Sequence, residues 1–118
     1  MKTVRELVDA KARRLLSIGP EETVYAALSK MTEHDIGALI VLEEERLVGI
    51  FSERDYARKI VLDGKTSKLT FVSDVMTRKV VCVTADRTAD ECMTLMTDKR
   101  VRHLPVIDRK TVLALISI

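Results

Sequence analysis

The 118-residue sequence has no tryptophan and only two tyrosines, two phenylalanines, two prolines and two cysteines. So few aromatic rings leave little for nucleic-acid bases to stack on. The net charge is only +2, and no Lys/Arg cluster is dense enough to track a phosphate backbone, so nucleic acid is not an expected partner. No apolar run approaches the ~20 residues of a membrane span. The opening stretch MKTVRELVDAKARRLL mixes charged and apolar residues and lacks the unbroken apolar region of a signal peptide. A cytoplasmic protein without membrane contact is the expectation. Cys82 and Cys92 fall at apolar positions of their local patterns and read as buried, reduced thiols. Neither makes a ligand-spaced pair with His34 or His103, so no metal is expected. There is no Walker loop, G-x-G-x-x-G, nucleophile elbow or H-E-x-x-H, and the acids are scattered over surface-like positions. An enzyme is therefore not expected. What is present, 47% hydrophobic and 32% charged residues, suits one compact domain.

The chain repeats itself. Shifted by 65 residues, Leu15–Glu53 overlays the remainder without a gap. Leu16 meets Val81, Ile18 meets Val83, Thr23 meets Thr88, Met31 meets Met96, Leu39 meets Leu104 and Ser52 meets Ser117. Each repeat reads as a short extended stretch, a helix, a hairpin and a second helix. Thr23 and Thr88 are the predicted helix N-caps, with Glu91 at capping-box spacing after Thr88. The predicted buried stripes are Val24, Ala27, Leu28 and Met31, then Ala89, Cys92, Met93 and Met96. Hairpins follow, turning at Glu43–Arg46 and at Asp108–Thr111. Pro105 is expected at a sheet edge or strand start because it cannot donate to a ladder. After Phe51, the stripe Tyr56, Ala57, Ile60, Val61 predicts a helix ending near Gly64. Two repeats, 1–65 and 66–118, should pack into one α+β core, with the cleft between them as the natural ligand site.

One stretch carries more than fold. In "GIFSERDYARKI", Gly49–Ile60, an apolar strand turns at Ser52 into a helix that begins with Arg54 and Asp55. One reading is that Ser52 caps the helix and Asp55 complements its dipole. The other is that Asp55 accepts the hydroxyls of a bound ligand, while Arg54 and the free N–H groups of the helix start face an anion. The two are compatible, since a cap would hold Asp55 in place.

The segments "TVYAALSKMTEHDIGALIVLEEERLVGIFSERD" and "VSDVMTRKVVCVTADRTADECMTLMTDKRVRHLPVIDRKTVLALISI" together resemble a tandem pair of CBS domains, the cystathionine-β-synthase-type module. The resemblance covers nearly the whole chain. It rests on the DVMT entry, the RHLPV strand and the G-h-h-S-x-x-D ending, all within a duplicated pattern. It implies a β-α-β-β-α fold per repeat, two repeats in a pseudo-twofold pair, and a homodimer of pairs. It also implies a regulatory module that senses adenosyl ligands: AMP, ADP, ATP, NAD(H) or S-adenosylmethionine. No obligatory cofactor is expected, and a client protein is an expected partner.

By the same resemblance Ser52 and Asp55 bind ribose, and Ile36, Gly37 and Ala38 flank the adenine. Val101, Arg102 and His103 do so from the other repeat, with Arg102 also offered to phosphate. His103 can equally be a hydrogen-bonded, half-buried histidine. Met76, Thr77 and Val81 close the Asp55 site. The counterpart of Asp55 in the second repeat would fall beyond Ile118, and so would that repeat's final helix. One competent site, built around Asp55, is therefore expected, with one face of the second repeat uncovered. A stand-alone sensor is the leading reading. The alternatives are a regulatory piece of a larger enzyme or transporter, and a dimerising scaffold without ligand. A cluster of Arg13, Arg14, Arg100 and Arg102 is read as a solvated face or a phosphate pocket.

Overall fold

Helix α1 (Val4–Lys11) leads into strand β1 (Ser17–Ile18), helix α2 (Val24–His34) and a hairpin of β2 (Ala38–Glu43) and β3 (Arg46–Ser52). Helix α3 (Glu53–Asp55) continues directly as a π-helix over Tyr56–Val61. A 3₁₀ turn (Ser67–Leu69) and short helix α4 (Val72–Val75) come next. The pattern then recurs as β4 (Val83–Thr84), α5 (Ala89–Lys99), β5 (His103–Asp108) and β6 (Thr111–Ser117). These elements come from a computed structural model that describes residues 2–11 and 15–117. Arg13 and Arg14 lie outside the described residues.

Each repeat builds one three-stranded sheet with a parallel pair and an antiparallel hairpin, ordered β1-β2-β3 and β4-β5-β6. The helix starts follow the caps: Thr23 Oγ1 accepts from the Ala26 N–H, and Thr88 with Glu91 forms a complete capping box. Asp35 and Arg100 end α2 and α5 in the left-handed region, φ 52° and 56°. In both cases the next N–H reaches back five residues, to the Met31 and Met96 carbonyls, as in a Schellman closure. Glu44 and Glu45 both have positive φ, 49° and 67°, the requirement of a two-residue primed hairpin turn. Gly64, φ 70°, ends the π segment, with the Lys65 N–H bonded to the Ile60 carbonyl. Here glycine supplies that conformation without steric cost.

The chain forms two compact units, and they trade entry segments. One unit is Leu16–Lys79; the other joins Met1–Leu15 to Val80–Ile118. The repeats as predicted, 1–65 and 66–118, therefore differ from the packed units. In the second unit the Val4, Arg5 and Ala89 N–H groups donate to the Arg87, Ala85 and Lys2 carbonyls at 2.8, 3.0 and 2.9 Å. In the first unit, Val72, Ser73 and Val24 donate to Glu22, Pro20 and Thr70 at 2.8, 2.9 and 2.9 Å, the same pattern. Each entry segment drives one fully buried valine, Val4 or Val72, into the unit that holds it. Helix α1 packs against β6 and brings Val4 and Val8 to that core. The face expected to be uncovered is thus partly covered by α1.

Each core is the predicted stripe set against its own sheet. Val24, Ala27 and Met31 pack with Leu39, Val41 and Phe51; Cys92 and Met96 pack with Val83, Leu104, Val106 and Ile116. Three expectations are corrected. Met93 is 56% exposed, and Leu95 packs on that core instead. Ala57 and Val61 face outward while Ile60 is buried. The five-residue hydrogen-bond step of the π-helix rotates this face away from the α-helical pattern. Pro105 is fully buried in β5, the central strand. It is tolerated there because β4 begins at Val83 opposite Val106. The equivalent Ile40 does have a parallel partner, Ser17. Cys82 and Cys92 are both free; Cys92 is buried but Cys82 only half-buried. Burial holds both thiols above the usual cysteine range.

Candidate functional site

In the Leu16–Lys79 unit, the end of β3, the start of the following helix and the segment after α4 meet at Asp55. The meeting has local causes. Ser52 leaves the strand in extended conformation, and its hydroxyl accepts from the Asp55 N–H at 3.2 Å. The Asp55 carboxylate returns the favour: Oδ2 accepts from the Ser52 N–H at 3.0 Å and from Ser52 Oγ at 3.1 Å. This is a capping box with Asp in the place usually held by Glu or Gln. Its shorter side chain holds the carboxyl close to the strand end.

The other oxygen takes one donor from a distant segment and one from the next turn. Thr77 Oγ1 donates to Asp55 Oδ1 at 2.9 Å. Lys59, one turn on, places Nζ 2.9 Å from the same oxygen and also donates to the Val75 carbonyl at 2.9 Å. Thr77 is fixed by reciprocal backbone bonds with Ile50, 2.9 and 2.8 Å. Gly49 makes that approach possible. A Cβ there would meet Met76 Sδ at 2.6 Å and the Thr77 carbonyl oxygen at 3.0 Å. Asp55, 6% exposed, thus has all of its roughly four acceptor positions filled.

Beside the Ser52–Asp55 turn the structure places Gly37, Ala38, Met76 and Thr77. Ala38 pairs with Ser52 across the hairpin, and the Gly37 carbonyl accepts from the Glu53 N–H at 3.1 Å. Ile36 is half-buried against the core, and Arg54 is exposed on the same helical turn as Asp55. The free N–H groups expected at the helix start are not free at Glu53 and Asp55. Gly37 and Ser52 take them, because a strand-to-helix turn this tight satisfies its own donors. Val81, Val101, Arg102 and His103 belong to the other unit. There Val81 and Val101 pack on its core, Arg102 is exposed, and His103 pairs with Ser117 as Ala38 does with Ser52.

Sequence reasoning missed Lys59 and Gly49. Signals for both exist: Lys59 follows Asp55 at ion-pair spacing, and a glycine inside a strand marks close backbone approach. A separate open groove on this unit, lined by Tyr25, Leu28, Thr32, Glu33 and Tyr56 among others, contains none of the expected ligand residues. Among the described residues, no group of three or more His, Cys, Asp or Glu could hold a metal ion. No helix among them is long and apolar enough to cross a membrane.

Comparison with known proteins shows the family and the fold. The family model for the CBS domain matches residues 4–62 and 72–118. The mitochondrial CBS domain-containing protein CBSX3 of Arabidopsis thaliana is 46% identical over 103 residues, 83% of this chain and 50% of its own length. The chain spans about half the length of the first curated relatives it matches. The crystal structure of the CBS domain protein NE2398 superposes with a TM-score of 0.95 at 47% identity, covering 100% of this chain and 93% of that one. A protein with CBS domains from Burkholderia ambifaria MC40-6 gives a TM-score of 0.94 at 43% identity, covering 98% and 88%.

Proposed function

The chain belongs to the CBS-domain family as a tandem pair, and from that premise we propose that it is a regulatory module sensing an adenosine-containing ligand. AMP, ADP, ATP, NAD(H) and S-adenosylmethionine are the candidates. The observation that carries the reading is the Asp55 carboxylate, fixed by Ser52 and Thr77 beside the half-buried Ile36–Gly37 segment. A carboxylate accepts and never donates, so it suits two neighbouring ribose hydroxyls. Its capping role supports the binding role, because an acceptor already held in place loses little freedom when a ligand arrives. Arg54, exposed on the same turn, is suited to a phosphate. The ligand acts without catalysis. It shifts the protein toward whichever arrangement binds it better, by no more than its differential affinity. A client protein, or the second copy in a homodimer, reads that shift, and a cytoplasmic location goes with this reading.

The test is a thermal-shift panel with AMP, ADP, ATP, NAD+, NADH and S-adenosylmethionine, followed by calorimetric titration of any hit on wild type and Asp55→Asn. A ligand at a hundred times its dissociation constant should add about 2.7 kcal/mol of stability. A response to one ligand that Asp55→Asn removes supports the sensor and names its signal. Silence across the panel refutes it and leaves the Ser52–Asp55 box as a helix cap. Light scattering in the presence and absence of the hit tests the homodimer.

A further inference from the structure

The nucleotide reading raises a difficulty that the structure also resolves. Four donors already hold the Asp55 carboxylate: the Ser52 N–H, Ser52 Oγ, Thr77 Oγ1 and Lys59 Nζ. A carboxylate offers about four acceptor positions. A ribose diol therefore has to displace a donor, and the four are not equally replaceable. The Ser52 N–H is fixed by the turn from strand to helix. The Ser52 hydroxyl is tied on its other side by the Asp55 N–H. Thr77 sits on a backbone bonded both ways to Ile50. Lys59 alone comes to the carboxylate from solvent. Its side chain is 40% exposed against 8% for that of Asp55. It is long and flexible, and it has a second acceptor in the Val75 carbonyl.

We infer that Lys59 is an internal competitor for the ribose-binding carboxylate, holding Asp55 Oδ1 in the empty site and yielding it to a ligand hydroxyl. This rests on the nucleotide reading above. Lys59 sets the affinity of the site while making no required contact with the ligand. The ammonium and a ribose hydroxyl are both donors and cannot use the same lone pair, so ligand affinity falls by the strength of the Lys59–Asp55 pair. Because the exchange replaces a charged donor by a neutral one, salt that screens the pair favours the ligand.

The experiment is calorimetric titration of adenosine into wild type, Lys59→Met, Lys59→Gln and Asp55→Asn. Adenosine is uncharged, so removing a cation does not change its long-range attraction to the protein. The expected result is roughly two- to fivefold tighter binding in both Lys59 variants, the scale of a partly exposed ion pair. Wild type should approach them as salt rises, and Asp55→Asn should lose binding. Melting curves identify which Lys59 variant is fully folded, and either one suffices. If wild type binds through Asp55 while the Lys59 variants bind equally or more weakly, the competitor role is overturned and the sensor stands. If wild type and the Lys59 variants are all silent to adenosine and to the whole nucleotide panel, the sensor reading falls, and this inference with it.

Discussion

Asp55→Ala should destabilise the protein even with no ligand present. The mutation removes the acceptor of four donors at once. The two hydroxyls can rotate to other partners, and Lys59 keeps the Val75 carbonyl. The Ser52 N–H has no such freedom, and an unsatisfied, partly buried donor costs about 1–3 kcal/mol. The bond it loses is itself the carboxylate half of the capping box and is counted once, and the partly exposed ion pair adds at most about 1 kcal/mol. Against this, a carboxylate only 6% exposed no longer has to be desolvated. The net expectation is about 1–3 kcal/mol. For a chain of this size that is a fall in Tm of about 4–12 °C. Urea and thermal unfolding, compared for coincidence to secure two-state behaviour, would measure it. A double-mutant cycle with Thr77→Val should show coupling above about 0.5 kcal/mol, since the two side chains share one hydrogen bond. A loss below about 0.5 kcal/mol would refute the argument: the network would then contribute nothing to folding, and Asp55 would be free for ligand alone. The same reasoning makes Asp55→Asn the better variant for binding work, because it keeps the shape of the box.

Gly49→Ala should destabilise by about 1–3 kcal/mol, the usual range for overpacking. Met76 can move its sulfur, but the Thr77 carbonyl at 3.0 Å is backbone; unchanged stability by urea titration would mean that the segment gives way freely. Met93→Glu should change stability by no more than about 0.5 kcal/mol, whereas Met96→Ala, 4% exposed, should lose about 2–5 kcal/mol. Equal effects in denaturant unfolding would contradict the packing described for α5. The Glu91 carboxyl is held below the usual range, first by the Thr88 backbone N–H and then by the Arg87 side chain. A folded-state value that is depressed gives stability present above the unfolded value and lost as pH falls through the folded one. Melting temperatures of wild type and Glu91→Gln should therefore differ near neutrality and converge in acid, and parallel curves would contradict the pairing.

The sequence alone determined the features that depend on residues close along the chain. The Thr23 and Thr88 caps, the two hairpin turns and the Ser52 cap all involve partners within a few positions, and the 65-residue repeat shows in the recurrence of their apolar pattern. Local chemistry and hydrophobic period suffice to show them. Tertiary structure decided what depends on backbone meeting backbone. The entry segments settle in exchanged units through N–H and carbonyl groups that every residue carries, so no side-chain pattern could announce the exchange. Pro105 could enter a central strand because β4 begins one position too late to face it, a matter of register between distant segments. Met93 and Val61 read as core because an ideal helical period cannot reveal which flank a sheet covers, or where the winding changes to π. At the site, sequence supplied the carboxylate. The family resemblance added Thr77, and only the fold showed its hydroxyl on the carboxylate and the Val75 carbonyl on Lys59, which stands in the place a ligand hydroxyl would take.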